Sequence, residues 1–403
     1  MELAPRQAGF SPERLERVTA HLERNYIEPG KIAGCQVLVA RHGIPAYHRS
    51  FGLADRERGK PVQDDTIFRI YSMTKPITSV ALMTLYEQGY FHLNDPVSRV
   101  IPEWKNHRVY VSGEGEGMET CAPNQPMTFR HVLSHTAGLS YGAGNHPADR
   151  AYQQLRIERS EGETLRTFVD KLAQVPLRYH PGERWMYSLA TDVCGYLVEA
   201  ISGKRFDRYL RETIFDPLGM KDTAFGIPPE KVSRFAANYQ RRPDKSLGLI
   251  DDPERSTFLR EPSFFSGGGG LVSTTADYFR FCEMLRRGGE LDGNRILGSR
   301  TLRLMTQNHL AGGRDLTQMA IGAFSETAYE GVGFGLGFAM TLGEVAAGTV
   351  GAGDYYWGGA ASTIFWVDPT EDLSVILMTQ LMPSATFNFR GQLKSIVYGA
   401  IED

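Results

Sequence analysis

Residue patterns typical of β-strands lie at both ends of this chain, and patterns typical of helices fill its middle. Near the start, the β-branched, apolar run 33–41 stops at His42-Gly43, and residues 44–51 continue as its hairpin partner. The remaining strand patterns come late, at residues 269–273, 335–341, 362–367 and 373–378. Because strands must pair, this distribution predicts an α+β protein whose sheet is built from both termini and is interrupted by a mostly helical insertion.

Helical patterns account for much of the rest. The helix predicted over 73–88 is rich in Ala, Leu and Met, and we expect it to end at Gly89, because glycine commonly terminates helices. The other predicted helices cover residues 11–25, 128–134, 160–174, 190–202 and 387–401. Gly- and Pro-rich segments at 111–126 and 226–248 are expected to be loops. We therefore predict a sheet domain from residues 1–95 and 250–403 and a helical domain from residues 96–249.

The charge balance, the cysteines and the amino terminus limit the classes of function. The 403 residues carry 44 Lys and Arg against 47 Asp and Glu, without a basic block, so we expect no nucleic-acid partner. No CxxC pair occurs, so we expect no metal and no cofactor. Residues 1–10 lack the features of a secretory signal, and the apolar runs are far shorter than the roughly 20 residues that span a bilayer. We therefore expect a cytoplasmic protein without membrane contact, and the oligomeric state stays open.

The strongest signal for chemistry is the sequence Tyr-Ser-Met-Thr-Lys-Pro at residues 71–76, where the helix over 73–88 is predicted to start. With Ser72 as N-cap, Lys75 lies on the same helical face, and its amine can reach the serine hydroxyl. A serine is a weak nucleophile until a neighbouring base takes its proton, and a helix N-terminus stabilises the oxyanion that follows. Alone, the pattern also fits a helix cap beside a solvated lysine.

Two further segments carry residues suited to the same chemistry. Tyr187 lies just before the helix over 190–202, and a nearby ammonium would lower the pKa of its phenol towards the range of a base. Trp357-Gly358-Gly359-Ala360 leads into the predicted strand 362–367, where two glycines permit close backbone approach and a free N–H can be an oxyanion donor. Alone, each segment also has a structural explanation, a half-buried aromatic residue or a β-bulge.

Two patterns point to other chemistry and fail on context. Ser140 lies in Gly-Leu-Ser-Tyr-Gly at residues 138–142, which matches the nucleophile elbow of α/β-hydrolases, but a loop follows it instead of an apolar helix. His131 and His135 are four residues apart, without the glutamate of a metalloprotease helix or a third ligand. We therefore expect Ser140 not to be the nucleophile, and His135 to hydrogen-bond a loop near the site.

Together and in this order, the three segments resemble the serine β-lactamase and penicillin-binding protein superfamily, specifically its branch with class C β-lactamases and family VIII carboxylesterases. The resemblance covers nearly the whole chain, since residues 133–139, 181–182, 215–220 and 267–277 also look like that branch. It implies a β-lactamase-like fold, with an antiparallel sheet flanked by helices, a mostly helical inserted domain and an active site in the cleft between the two domains.

The resemblance also implies a role for each matching residue. Ser72 would accept the acyl group, Lys75 would share its proton with Tyr187, and Tyr187 would later protonate the leaving group. The backbone N–H groups of Ser72 and Ala360 would form the oxyanion hole. Substrate contacts are expected from the following residues: Tyr71, Leu189, Tyr355, Trp357, Gly358 and Gly359.

Two departures from the β-lactamase pattern indicate the substrate. Leu189 stands where those enzymes carry an asparagine that contacts the substrate, and Trp357-Gly358-Gly359 replaces the Lys-Thr-Gly that grips a substrate carboxylate. The W-G-G form resembles family VIII carboxylesterases, and Trp357 with Tyr355 and Tyr356 would offer a neutral ester an apolar wall. We therefore expect a serine carboxylesterase that hydrolyses small, short-chain neutral esters through an acyl-enzyme. The alternatives are an acyltransferase or weak β-lactamase using the same acyl-enzyme, and a non-catalytic acyl-binding protein.

Overall fold

The structure is a computed structural model that describes residues 2–157, 162–322 and 329–402. In these ranges the strands are β1 Gly34–Arg41, β2 Ile44–Asp55, β3 Lys60–Pro61, β4 Phe68–Arg69, β5 Val109–Ser112, β6 Glu119–Cys121, β7 Asn238–Arg241, β8 Leu247–Asp251, β9 Val272–Ser273, β10 Glu290–Leu291, β11 Asn294–Arg295, β12 Val332–Phe334, β13 Ala339–Thr341, β14 Tyr355–Gly358, β15 Ile364–Asp368, β16 Leu373–Thr379 and β17 Leu381–Met382. The α-helices are α1 Pro12–Leu15, α2 Arg17–Leu22, α3 Thr74–Glu87, α4 Phe129–Leu133, α5 Pro147–Gln154, α6 Leu165–Leu172, α7 Ala190–Ser202, α8 Phe206–Leu210, α9 Asp216–Leu218, α10 Thr275–Arg286, α11 Ser299–Met305, α12 Leu316–Met319, α13 Glu344–Ala347 and α14 Phe389–Tyr398.

The central sheet takes its strands from both ends of the chain. Within the described ranges it has eight strands in the order β12-β13-β14-β15-β16-β1-β2-β3, and neighbouring strands are antiparallel. The β1–β2 hairpin turns at His42 and Gly43, which both have positive φ, 56° and 75°, as a tight two-residue hairpin turn requires. The α+β fold with an antiparallel sheet, expected from the sequence, is therefore confirmed.

Helices cover both faces of this sheet. Successive strand residues point to opposite faces, so neighbouring residues of β15 meet different helices. The ring of Phe365 packs against Tyr278 of α10 at a centroid distance of 5.1 Å. On the other face, the Tyr398 hydroxyl of α14 donates a hydrogen bond to Asp368, at the end of β15, at 2.6 Å. Buried apolar side chains thus lie between the sheet and each of these two helices, and the same core continues among the middle helices.

Between the two groups of strands, helices α3 and α7 pack against each other. A glycine turn at 267–270 fits between these helices, because the Thr78 hydroxyl on α3 donates to the Gly267 carbonyl oxygen at 2.7 Å. On its other side, a Cβ added to Gly267 would lie 2.7 Å from the Thr191 carbonyl oxygen on α7. The strand predicted over 269–273 is therefore mostly wrong, since only the last two of these residues pair and the glycines form a tight turn.

Several other predicted elements differ in extent. The helix expected over 11–25 is divided into α1, α2 and a π-turn at Glu23–Ile27. The helix predicted over 160–174 is present as α6, and residues 160–161 lie outside the described residues. Short strands β5 to β8 run into the segments expected to be loops, because their backbone groups pair locally. The predicted domain boundaries remain predictions. In the described ranges, no helix has the length and apolar character to cross a membrane.

Candidate active site

Ser72 lies in a 3₁₀ turn, Tyr71–Met73, immediately before α3. The prediction that Ser72 caps the helix is wrong, since Met73 is the N-cap and no side chain caps this end. The turn closes through the Met73 N–H, which donates to the Ile70 carbonyl oxygen at 2.9 Å, so the Ser72 hydroxyl is not needed for capping. Tyr71 has a φ of 41°, a strained conformation that structures hold most often at functional sites. The half-buried serine is thus presented on a strained turn.

Lys75 is 1% exposed and directs its amine at three oxygen atoms. Its Nζ lies 2.6 Å from the Gly268 carbonyl oxygen, 2.9 Å from the Tyr141 hydroxyl and 3.3 Å from Ser72 Oγ. The carbonyl oxygen can only accept a hydrogen bond, whereas each hydroxyl can also donate one. A neutral Lys75 can therefore donate to Gly268 while it accepts the proton of Ser72. The pairing of Ser72 with Lys75, predicted from their spacing, is present.

Tyr187 meets Lys75 with its ring face. Lys75 Nζ lies 4.6 Å from the centroid of the Tyr187 ring, within the range of a cation–π contact. The Tyr187 hydroxyl accepts a hydrogen bond from Trp357 Nε1 at 3.1 Å, and the two rings lie 5.3 Å apart. The structure therefore brings together the predicted lysine, tyrosine and tryptophan in one buried cluster.

Tyr141 is a site residue that the sequence did not single out. It is part of the Gly-Leu-Ser-Tyr-Gly segment, which the sequence argument set aside because Ser140 had the wrong context. The Ser140 hydroxyl donates to Asp149 at 2.5 Å, and it accepts from the Gly142 N–H at 3.0 Å. These bonds fix the loop so that the Tyr141 hydroxyl reaches Lys75. The sequence signal that could have identified this site residue was the tyrosine of the Gly-Leu-Ser-Tyr-Gly segment itself.

The Trp-Gly-Gly-Ala segment is a hairpin turn, because Trp357 and Gly358 end strand β14 and residues 359–363 connect it to β15. The expectation that these residues lead into a strand over 362–367 missed β14 itself. A Cβ added to Gly359 would collide with the Ile70 carbonyl oxygen, so glycine permits the turn to lie against the segment before Ser72. Ala360 follows directly, and its N–H as the second oxyanion donor stays a prediction.

Leu189 and Tyr355, two further residues predicted to contact the substrate, are both buried. Leu189 is 1% exposed, and its N–H donates to the Ser140 carbonyl oxygen at 3.4 Å, which joins the loops that carry Tyr187 and Tyr141. Tyr355 packs its ring against Phe338 at 5.3 Å, and burial raises the pKa of its phenol. Tyr355 is therefore a core residue, and its contact with a substrate stays a prediction.

His135 packs against the ring of Tyr187. Its ring lies 5.0 Å from that of Tyr187, and its nitrogens lie 3.3 Å from the hydroxyls of Ser188 and Thr191. Burial, with Lys75 as a second cause, holds the pKa of His135 well below its ordinary value. The sequence predicted that His135 hydrogen-bonds a loop near the site, and its contact with Ser188 agrees with this. In the described residues, no group of three or more His, Cys, Asp or Glu side chains could hold a metal ion.

Comparison with known proteins places this geometry in context. The family model described as Beta-lactamase matches residues 19–395. Esterase EstB of Burkholderia gladioli is 33% identical over 374 residues, covering 87% of this chain and 86% of that protein. Acyltransferase calJ of Penicillium decumbens is 27% identical and covers 80% of this chain and 78% of that protein. Among solved structures, EstCE1, a hydrolase with promiscuous acyltransferase activity, has 31% identity and a TM-score of 0.80, covering 96% of this chain and 99% of that one.

Proposed function

The chain belongs to the beta-lactamase family, and from that membership and the site geometry we propose that it is a serine carboxylesterase for small, short-chain neutral esters. The observation that carries the proposal is the buried Lys75 amine, 3.3 Å from Ser72 Oγ. An amine at this distance can take the serine proton as the oxygen attacks a carbonyl carbon. The names of EstB and EstCE1, an esterase and a hydrolase, support the same chemistry.

Acylation begins with Ser72 Oγ attacking the ester carbonyl carbon while its proton passes to neutral Lys75. The carbonyl oxygen becomes an oxyanion that the N–H groups of Ser72 and Ala360 stabilise. When the tetrahedral intermediate collapses, the bond to the alcohol oxygen breaks, and Tyr187 gives that oxygen a proton. Lys75 returns its proton to the tyrosine, which leaves an acyl-Ser72 ester and a free alcohol.

Deacylation repeats these steps with water as the nucleophile. The Lys75–Tyr187 pair takes a proton from water as it attacks the acyl carbonyl, and the proton then returns to Ser72 Oγ as that oxygen leaves. The products are a carboxylic acid and the original enzyme. Tyr141 is a second candidate for the proton-transfer role of Tyr187, because its hydroxyl accepts the hydrogen bond from Lys75.

The aromatic side chains around Trp357 favour a neutral substrate. The rings of Tyr187 and Phe334 lie 5.3 Å and 5.4 Å from that of Trp357, and Trp357 stands where the β-lactamase pattern has a lysine. Binding a carboxylate at such an apolar wall would bury its charge without a partner, which is unfavourable. An uncharged ester with a short acyl chain avoids this cost.

Acyl transfer is the second candidate, since an alcohol can replace water as the nucleophile that attacks acyl-Ser72. The likeness to EstCE1, a hydrolase with promiscuous acyltransferase activity, and to the acyltransferase calJ favours it. A weak β-lactamase activity is the remaining alternative.

The test compares turnover of p-nitrophenyl acetate and nitrocefin by the wild-type protein, with the Ser72→Ala variant as control. We expect the ester to be hydrolysed much faster than nitrocefin, and the variant to lose ester hydrolysis. Comparable rates for the two reagents would favour the β-lactamase. Formation of a new ester in the presence of a small alcohol would identify acyl transfer.

A further inference from the structure

Asp192, on α7, is a buried carboxyl group that the proposed mechanism has not used. The residue is 1% exposed. Its Oδ1 accepts hydrogen bonds from the Ser266 hydroxyl at 2.6 Å and from the Gly268 N–H at 2.8 Å. Its Oδ2 has no hydrogen-bond partner within the described ranges. A protonated carboxyl would need an acceptor for its own O–H, so these surroundings favour the carboxylate, which only accepts.

Gly268 joins this carboxylate to the catalytic amine. Its N–H donates to Asp192, and its carbonyl oxygen accepts from Lys75 Nζ at 2.6 Å. A Cβ at this position would collide with Asp192 Oδ2, so only glycine lets the turn pass between the two groups. In the described part of the chain Lys75 and Asp192 form no direct ion pair. Their charges act across the turn, and because both residues are buried, water screens this attraction little.

We propose that the Asp192 carboxylate is the buried counter-charge of Lys75 and, through Gly268, the positioning residue that sets the pH at which Lys75 can accept the proton of Ser72. The proposal rests on the proposed function of Ser72 and Lys75. Burial raises the pKa of Asp192 and the charge of Lys75 opposes the rise, so the protonation of each group depends on the other.

Other titratable groups around the pair do not replace this effect. Burial keeps the pKa of His135 well below its ordinary value and raises the pKa of the Cys194 thiol, so both are neutral at the pH of an assay. Tyr141 and Tyr187 each present a hydroxyl that can donate and accept hydrogen bonds. The titratable groups that face Lys75 and Asp192 are therefore the following: His135, Tyr141, Tyr187 and Cys194.

The sign of the expected change follows from the charge. A nearby carboxylate stabilises the ammonium form of Lys75, so removing it lowers the pH at which the amine becomes neutral. Asp192→Asn removes the charge and keeps an oxygen that can accept from Ser266 and Gly268. We expect the acidic limb of the pH profile of kcat/KM to move about one pH unit lower in this variant. Asp277→Asn is the matched control, because that buried carboxyl bonds Asp222 and Thr223 outside the site, and its limb should not move.

The experiment measures this profile with p-nitrophenyl acetate and, in parallel, the mass of acyl-Ser72 in the wild-type protein. Suppose that the wild-type protein forms the adduct, but folded Asp192→Asn has an unmoved acidic limb or no activity at any pH. This result overturns the proposed role of Asp192 and leaves the proposed function standing. Absence of the wild-type adduct overturns the proposed function instead. If the asparagine variant does not fold, Asp192→Ser removes the same charge with a smaller side chain and should give the same shift. Failure of both variants to fold would make Asp192 a structural residue and overturn the proposal.

Discussion

The hydroxyl of Tyr141 accepts a hydrogen bond of 2.9 Å from Nζ of Lys75. The same Nζ lies over the ring of Tyr187, 4.6 Å from its centroid. The amine therefore contacts Tyr141 through its hydroxyl and Tyr187 through its ring face. The family resemblance assigns proton transfer to Tyr187, whereas the hydrogen bond identifies Tyr141 as its competitor. The two roles predict losses of activity of different size for the two phenylalanine variants.

Tyr187→Phe should lower kcat/KM by about 100-fold, because the phenol that protonates the leaving alcohol is lost. The limb on which activity rises with pH should remain, since Lys75 can still accept the proton of Ser72. Tyr141→Phe should lower kcat/KM by about 10-fold, since it removes only a hydrogen-bond partner of the lysine. Steady-state kinetics across the pH range check both variants. A larger loss of kcat/KM in Tyr141→Phe than in Tyr187→Phe would assign the proton transfer to Tyr141.

Two variants of Trp357 should separate substrate binding from catalysis. Trp357→Ala removes the apolar wall, so we expect KM for a short-chain ester to rise about 10-fold. Trp357→Phe keeps an aromatic wall but loses the N–H that donates to Tyr187, so we expect a lower kcat with little change in KM. The two constants, measured with p-nitrophenyl butyrate, check this. Equal KM values for the alanine variant and the wild-type protein would show that Trp357 does not contact the substrate.

Gly359→Ala should lower kcat/KM by about 100-fold, the scale of losing an oxyanion donor. Its Cβ would collide with the Ile70 carbonyl oxygen and push the β14–β15 turn, with Ala360, away from Ser72. Gly343→Ala is the control, since no atom lies within 4 Å of a Cβ there and its φ of −167° suits any residue. Wild-type kinetics in a folded Gly359→Ala protein would contradict the placement of the oxyanion hole.

The buried histidines should make the protein less stable in acid. Burial lowers the pKa of His107 and His131 to about 4, so the unfolded chain binds protons near the ordinary histidine pKa, before the folded protein does. Each should therefore reduce the free energy of unfolding by about 1.4 kcal/mol per pH unit as the pH falls from about 6.5 towards 4. The free energy of unfolding, measured by urea denaturation at several pH values, should change less steeply with pH in His107→Gln. Its slope against pH should be unchanged in His92→Gln, a control at an exposed site. Identical slopes in all three proteins would contradict the burial effect.

Local patterns were sufficient to predict part of the fold and of the site. Ser72 and Lys75 are three residues apart, so the start of α3 alone brings them together, and the helix over 190–202 matches α7 because Gly203 ends it with a φ of 68°. The first hairpin followed from the β-branched, apolar run 33–41 that stops at His42-Gly43.

What was missed depends on contacts between distant segments. Tyr141 reaches Lys75 only because its loop is fixed by Ser140 and Asp149. Strand β14 has four buried residues in succession, so it lacks the alternation that reveals a strand with one exposed face. The depth of Tyr355 likewise depends on Phe338, a residue from the preceding hairpin. Sequence spacing does not report such contacts.

The central claim is that Ser72 forms an acyl-enzyme, and intact-protein mass spectrometry after brief exposure to an activated ester tests it most directly. The expected result is a mass increase equal to one acyl group, mapped to the peptide that contains Ser72 and absent from Ser72→Ala. An adduct on another residue, or full ester turnover by Ser72→Ala, would contradict the claim.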